Sequence, residues 1–133
     1  MNPALAWPAL ATLGTLLLLF ACAAIVGRAR GRYGIRAPAT SGHEMFDRAF
    51  RVQMNTLEST LIFLPALWLA ALAFSPGWAT AAAAVWLAGR VWFAAAYLRA
   101  PESRGGGFVL AFAAWGALML MASWGVIGLL LAR

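Results

Sequence analysis

The residues best suited to chemistry lie in the run Phe46-Asp47-Arg48-Ala49-Phe50-Arg51-Val52-Gln53-Met54-Asn55-Thr56-Leu57-Glu58. On a helix, Arg48, Arg51, Asn55 and Glu58 fall within roughly 80° of one another. Two guanidiniums, an amide and a carboxylate on one stripe can grip anions and still offer one site for a cation. Gln53 points to another face, where it can serve a neighbouring helix. Farther along, Arg90, Phe93 and Tyr97 share a face at helical spacing, so Arg90 offers Glu58 a counter-charge. No Ser/His/Asp or Cys/His grouping supplies an activated nucleophile. The lone His43 and the single Cys22 do not make a metal-ligand set, so no metal site is expected.

The surroundings of that stripe are almost wholly apolar. Of the 133 residues, 64% are hydrophobic and only 11% charged, too little polar surface to cover a soluble core of this size. The apolar residues come in blocks near the ~20 residues that cross a bilayer. They predict an all-α integral membrane four-helix bundle in a single domain over 1–133, with spans at about 7–26, 46–74, 78–98 and 108–131. Between spans lie Ala37-Pro38-Ala39-Thr40-Ser41-Gly42-His43, the turn Ser75-Pro76-Gly77, and a loop ending in Gly105-Gly106-Gly107. The glycine triplet lacks a preceding strand and a P-loop lysine, and reads as a flexible connection rather than a phosphate cradle. Residues 1–24 read as a retained helix, because no basic residue precedes the apolar run as in a signal peptide.

Charge sets the expected orientation. The loops after spans one and three carry Arg28, Arg30, Arg32, Arg36, Arg99 and Arg104, against Arg133 on the opposite side. Excess positive charge marks the cytoplasmic face, which places both loops there and both termini outside. Trp7, Trp78 and Trp124 fall near the outer interface. The net charge of +6 does not indicate a nucleic-acid binder, since the chain has no lysine and its arginines flank membrane spans. Small residues in spans three and four, including Ala81 to Ala84, Gly89, Gly116, Gly125 and Gly128, predict close helix packing. Pro65 predicts a kink in span two.

An unpaired charge in hydrocarbon costs roughly 2.5–3.5 kcal/mol even on the gentlest scales. The stripe therefore faces other helices, a polar cavity, or both. A salt-bridge network fixing helix register would satisfy it. Yet arginines outnumber acids at the cytoplasmic end, which asks for an anionic partner, either lipid headgroups or a small ligand in a cleft.

The run from Phe46 to Glu58, followed by Phe63-Leu64-Pro65-Ala66-Leu67-Trp68-Leu69, resembles the second helix of the MAPEG proteins, membrane-associated proteins of eicosanoid and glutathione metabolism. Gly89-Arg90-Val91, Ala96-Tyr97-Leu98 and Arg99-Ala100-Pro101 resemble that family's third helix and its exit. The resemblance implies a homotrimer with glutathione bound between subunits near the cytoplasmic face. Arg51, Asn55 and Glu58 would contact the tripeptide from one subunit, with Gln53 nearby. Arg30, Arg90, Tyr97 and Arg104 would contribute from the other side. Arg104 matches the arginine that stabilises the glutathione thiolate, with Arg99 as its rival. Ser59 and Phe93 stand where eicosanoid-processing relatives often carry tyrosines, and Gly31 follows Arg30 in place of a second arginine.

The expected function is thus a glutathione-dependent transferase or peroxidase acting on hydrophobic electrophiles drawn from membrane lipid. The alternative is a non-catalytic lipid-binding or scaffold protein of the same fold. A small exporter of lipophilic cations is a third reading, disfavoured because the first span has no carboxylate.

Overall fold

Four long helices account for nearly all of the computed structural model, which describes residues 2–132. Helix α1 covers Ala6–Tyr33, α2 Glu44–Ala73, α3 Pro76–Arg99 and α4 Gly105–Leu131. Single 3-10 turns, Pro3–Leu5 and Pro101–Arg104, lead into α1 and α4. All four helices are long and apolar enough to cross a membrane. Together with the family relationship established below, they make this an integral, multi-pass membrane protein. Arg133, the counterweight in the orientation argument, lies outside the described residues.

Helix α1 continues well past Val26, where the apolar run ends. Its 28 residues span about 42 Å, against roughly 30 Å of hydrocarbon, so the arginine-bearing turns project beyond the apolar layer. The helix stops where Gly34 takes a left-handed φ of 68° and donates its N–H to the Arg30 carbonyl. His43 caps α2: its Nδ1 accepts from the Met45 N–H at 3.2 Å, and its ring stacks on Tyr33 with centroids 3.8 Å apart. Asp47 secures the same end, accepting from Ser41 Oγ at 3.0 Å and Gly42 N at 3.2 Å.

Lipid tails are as apolar as leucine, so hydrophobic burial does little to drive these helices together, and close van der Waals packing must do more. The buried set is accordingly rich in alanine, with Ala66, Ala70, Ala79, Ala83, Ala111, Ala114 and Ala122 in one cluster. Phe63 and Trp86 stack at its centre, 3.8 Å between centroids and 5° from parallel. Leucines such as Leu13, Leu17 and Leu120 point outward, as a lipid-facing surface requires. The hydroxyls of Thr12, Thr15, Thr60 and Thr80 each donate to the carbonyl four residues back, which satisfies them inside an apolar layer.

Helices α3 and α4 cross where Gly89 meets Gly107. A Cβ on Gly89 would lie 2.7 Å from the Ala111 nitrogen, and one on Gly107 would collide with the Phe93 nitrogen. Gly125 makes a similarly tight approach to Ala73, whereas Gly116 and Gly128 meet nothing within 4 Å. Gly105-Gly106-Gly107 is thus not the expected flexible connection; it is the first turn of α4, and Gly107 is buried against α3. Pro65 lies inside α2, and the Ile62 carbonyl three residues before it accepts from Trp115 Nε1 of α4 at 3.2 Å. A neighbouring helix thereby satisfies a carbonyl beside the proline.

Candidate functional site

A crevice of about 600 Å³ opens between α2, the end of α3 and the start of α4. From α2 come Arg51, Asn55 and Glu58, with Met54 between them; α3 supplies Phe93 and Tyr97. The turn before α4 contributes Arg104, and α4 adds Phe108 and Val109. Helical spacing sets the first group, since positions 51, 55 and 58 recur on one face. The 3-10 turn opened by Pro101 sets Arg104, whose Nη1 donates to the Pro101 carbonyl at 3.1 Å. Its guanidinium lies 5.2 Å from the centroid of the Tyr97 ring. Arg99, the last residue of α3, does not line the crevice. Glu58 sits halfway along α2, so the cleft runs from the arginine-rich rim deep into the span.

Arg90 stands behind this wall. It is 1% exposed, and its Nη2 donates to Asn55 Oδ1 at 3.0 Å and to Thr56 Oγ1 at 2.7 Å. Its guanidinium also sits 4.3 Å from the Phe93 ring centroid. Glu58 is therefore not its counter-charge, as the spacing had suggested. Among the described residues neither Arg90 nor Glu58 has an ion-pair partner. Because Oδ1 of Asn55 is taken, its amide NH₂ is left to donate elsewhere. Among the described residues the Arg90 Nε has no hydrogen-bond partner. A smaller cavity of about 230 Å³ continues from the crevice past Arg90, Asn55 and Glu58 to Ser59, Ile62, Phe112 and Trp115.

Other members of the expected set lie elsewhere. Arg48 turns to the rim, where its Nη1 donates to the Leu98 and Arg99 carbonyls at 3.4 and 3.0 Å, and its Nη2 pairs with Glu44. It ties off the open carbonyls that end α3. Arg30 lies over the Phe46 ring, 4.8 Å from its centroid, and donates to the Ala39 carbonyl at 2.8 Å. Gln53 is half-buried, and neither it nor Arg30 lines the crevice of its own chain. Tyr97 and Arg104, expected from the other side, share one chain's crevice with Arg51, Asn55 and Glu58.

Met54, Phe108 and Val109 are walls that sequence reasoning did not single out. Thr56 was missed as an acceptor for Arg90, although a hydroxyl beside Asn55 in an apolar helix was a signal that could have revealed it.

Comparison with known proteins decides what this cleft is related to. The family model described as MAPEG matches residues 8–124. The chain belongs to the MAPEG family. An uncharacterized protein of Synechocystis sp. (strain ATCC 27184 / PCC 6803 / Kazusa) is 48% identical over 106 residues, 80% of this chain and 77% of that one. Microsomal glutathione S-transferase 2 of Bos taurus is 35% identical over 123 residues, 89% of this chain and 82% of its own. Leukotriene C4 synthase of Bos taurus is 30% identical over 118 residues, 89% and 76% of the two chains. The crevice of this MAPEG protein thus lies in a chain related to glutathione transferases along most of its length.

Proposed function

We propose that this MAPEG protein is a glutathione-dependent transferase or peroxidase acting on hydrophobic electrophiles that arrive from the membrane. One observation carries this: a single crevice holds Arg51, Arg104, Tyr97 and Asn55 beside one carboxylate, Glu58. Glutathione at neutral pH bears an ammonium, two carboxylates and a thiol. Glu58 suits the ammonium, which would also supply the partner that this carboxylate lacks within the membrane. Arg51 suits a carboxylate, which a guanidinium can grip with two parallel bonds. The free Asn55 amide NH₂ suits the second carboxylate or a peptide carbonyl.

Arg104 at the mouth suits the thiol. A free thiol ionises near pH 8.5, and an adjacent guanidinium favours the thiolate. Each unit by which the pKa falls favours the anion by about 1.36 kcal/mol. In transfer, the thiolate sulfur bonds to the electrophilic carbon, the leaving group departs with its electron pair, and the thiol proton passes to water. With a hydroperoxide, two thiols are oxidised to a disulfide while the peroxide is reduced to an alcohol and water. The smaller cavity lined by Ile62, Phe112 and Trp115 offers an apolar wall beside the reacting end.

The assembly in this proposal is a homotrimer. Arg30 and Gln53, which do not reach their own crevice, would complete a neighbour's. The arginine-rich end faces the cytoplasm, where glutathione is abundant and where positive charge is retained. Calorimetry in detergent should show saturable glutathione binding, and the protein should conjugate glutathione to a generic aryl halide. An intact assembly that binds no glutathione would replace this function with non-catalytic lipid binding or scaffolding.

A further inference from the structure

A second groove lies away from the crevice, between α1 and the adjoining ends of α2 and α3, with a volume of about 350 Å³. Arg28 and Arg32 stand at its lip, one helical turn apart and therefore on one face. Ile25, Ala29, Met45 and Leu98 make an apolar wall beside them. Both arginine side chains are exposed, and among the described residues neither pairs with a carboxylate. Arg30, pointing the other way, is occupied by Phe46 and the Ala39 carbonyl. Arg32 also lies 5.7 Å from the centroid of the neighbouring Tyr33 ring, so the groove combines two cations that have no ion-pair partner among the described residues with an apolar floor.

Its depth fits the edge of a bilayer. Arg28 lies about 32 Å along α1 from Trp7, close to the ~30 Å thickness of the hydrocarbon layer. With Trp7 at one interface, the Arg28–Arg32 turn reaches the other; Ala29 lies level with Arg28, and Ile25 sits one turn deeper, at the edge of the acyl region. Basic pockets between transmembrane helices at this level suit anionic headgroups. We propose that this groove is a discrete site for an anionic glycerophospholipid, with its phosphate between Arg28 and Arg32 and one acyl chain along Ile25, Ala29 and Leu98. The site is independent of the glutathione crevice. Charge complementarity selects the headgroup, and the apolar floor selects a lipid over a free phosphate.

Native mass spectrometry of the delipidated protein, titrated with phosphatidylglycerol or phosphatidylcholine, tests this. Wild type should retain phosphatidylglycerol in preference to phosphatidylcholine, saturating at one molecule per chain. The double variant R28Q/R32Q should bind it about twenty-five-fold more weakly, at about fivefold for each basic residue beside an anionic lipid. The double variant R36Q/R99Q removes the same charge outside the groove and should bind as wild type does. Ala29→Phe narrows the floor but keeps both arginines, and should also lose the lipid while its circular dichroism is unchanged. Glycerol 3-phosphate at the same concentrations should not compete. Equal losses in both double variants would overturn the site in favour of diffuse surface attraction. Competition by glycerol 3-phosphate would overturn the lipid in favour of a free phosphate ligand.

Discussion

Arg90 Nη2 holds Asn55 Oδ1 at 3.0 Å from a position almost wholly sealed from solvent. The bond makes the amide directional: its oxygen faces inward and its NH₂ is free to donate. Asn55→Asp keeps an acceptor for Arg90 but removes that donor and adds negative charge. Glutathione affinity should fall at least tenfold while the melting temperature holds or rises. Asn55→Ala removes a bond to a charged group, typically about 1.5–3 kcal/mol, and should lower both. Calorimetry and thermal unfolding in detergent separate the two outcomes; equal destabilisation by both variants would contradict the oriented amide.

Among the described residues, Glu58 is the only carboxylate lining the crevice. Glu58→Gln should weaken glutathione binding at least tenfold, yet barely change binding of an N-acetylated analogue that carries no ammonium. Measuring both ligands on both proteins isolates that contact. A parallel loss for the two ligands would move the ammonium elsewhere.

Arg104 lies above Tyr97 at the crevice mouth. With Arg104 present, the bound thiol should ionise below its ordinary value near 8.5, so thiolate persists at neutral pH. In Arg104→Ala the titration should move up toward 8.5, with thiolate lost first on the neutral side. Turnover at pH 7 should fall about 100-fold, as when one donor to a developing anion is removed. Ultraviolet absorbance of the bound thiolate across pH reads the shift directly.

Arg48 belongs to the same helical stripe but serves the fold. Arg48→Met should lower stability by about 1–3 kcal/mol through the exposed carbonyls of Leu98 and Arg99, with little change in KM for glutathione. A large rise in KM at unchanged melting temperature would return Arg48 to the binding site.

Gly107 and Gly116 make a matched pair on α4. Gly107→Ala drives a methyl into the backbone of α3 and should cost about 1–3 kcal/mol or more. Gly116→Ala, with open space around it, should be neutral or stabilise by up to ~1 kcal/mol. Thermal unfolding of the two variants side by side provides the comparison.

What could be read from residues alone follows from how local each determinant is. Arg51, Asn55 and Glu58 share one helix, so their spacing sufficed to put them together. Arg48 has the same spacing, but the carbonyls that claim it belong to α3, 50 and 51 residues away. Arg90 was paired with Glu58 by charge, whereas packing gives it to Asn55 and Thr56. Val26 ends the apolar run but not the helix, because leaving hydrocarbon does not oblige a backbone to uncoil. Gly105-Gly106-Gly107 carries the composition of a linker; only contact with α3 reveals why side chains are absent at Gly106 and Gly107.

The Gly89–Gly107 crossing bears on how proteins of this family diversify. Main chain meets main chain there, so the beginning of α4 has little freedom to slide along α3, and Arg104 inherits that fixity. Phe108 and Phe112 hang from the same helix farther on, with side chains that make no hydrogen bond to the junction. On the proposed function, substrate range could drift through those side chains while sulfur activation stays constant, two properties that evolution or an engineer could tune one at a time.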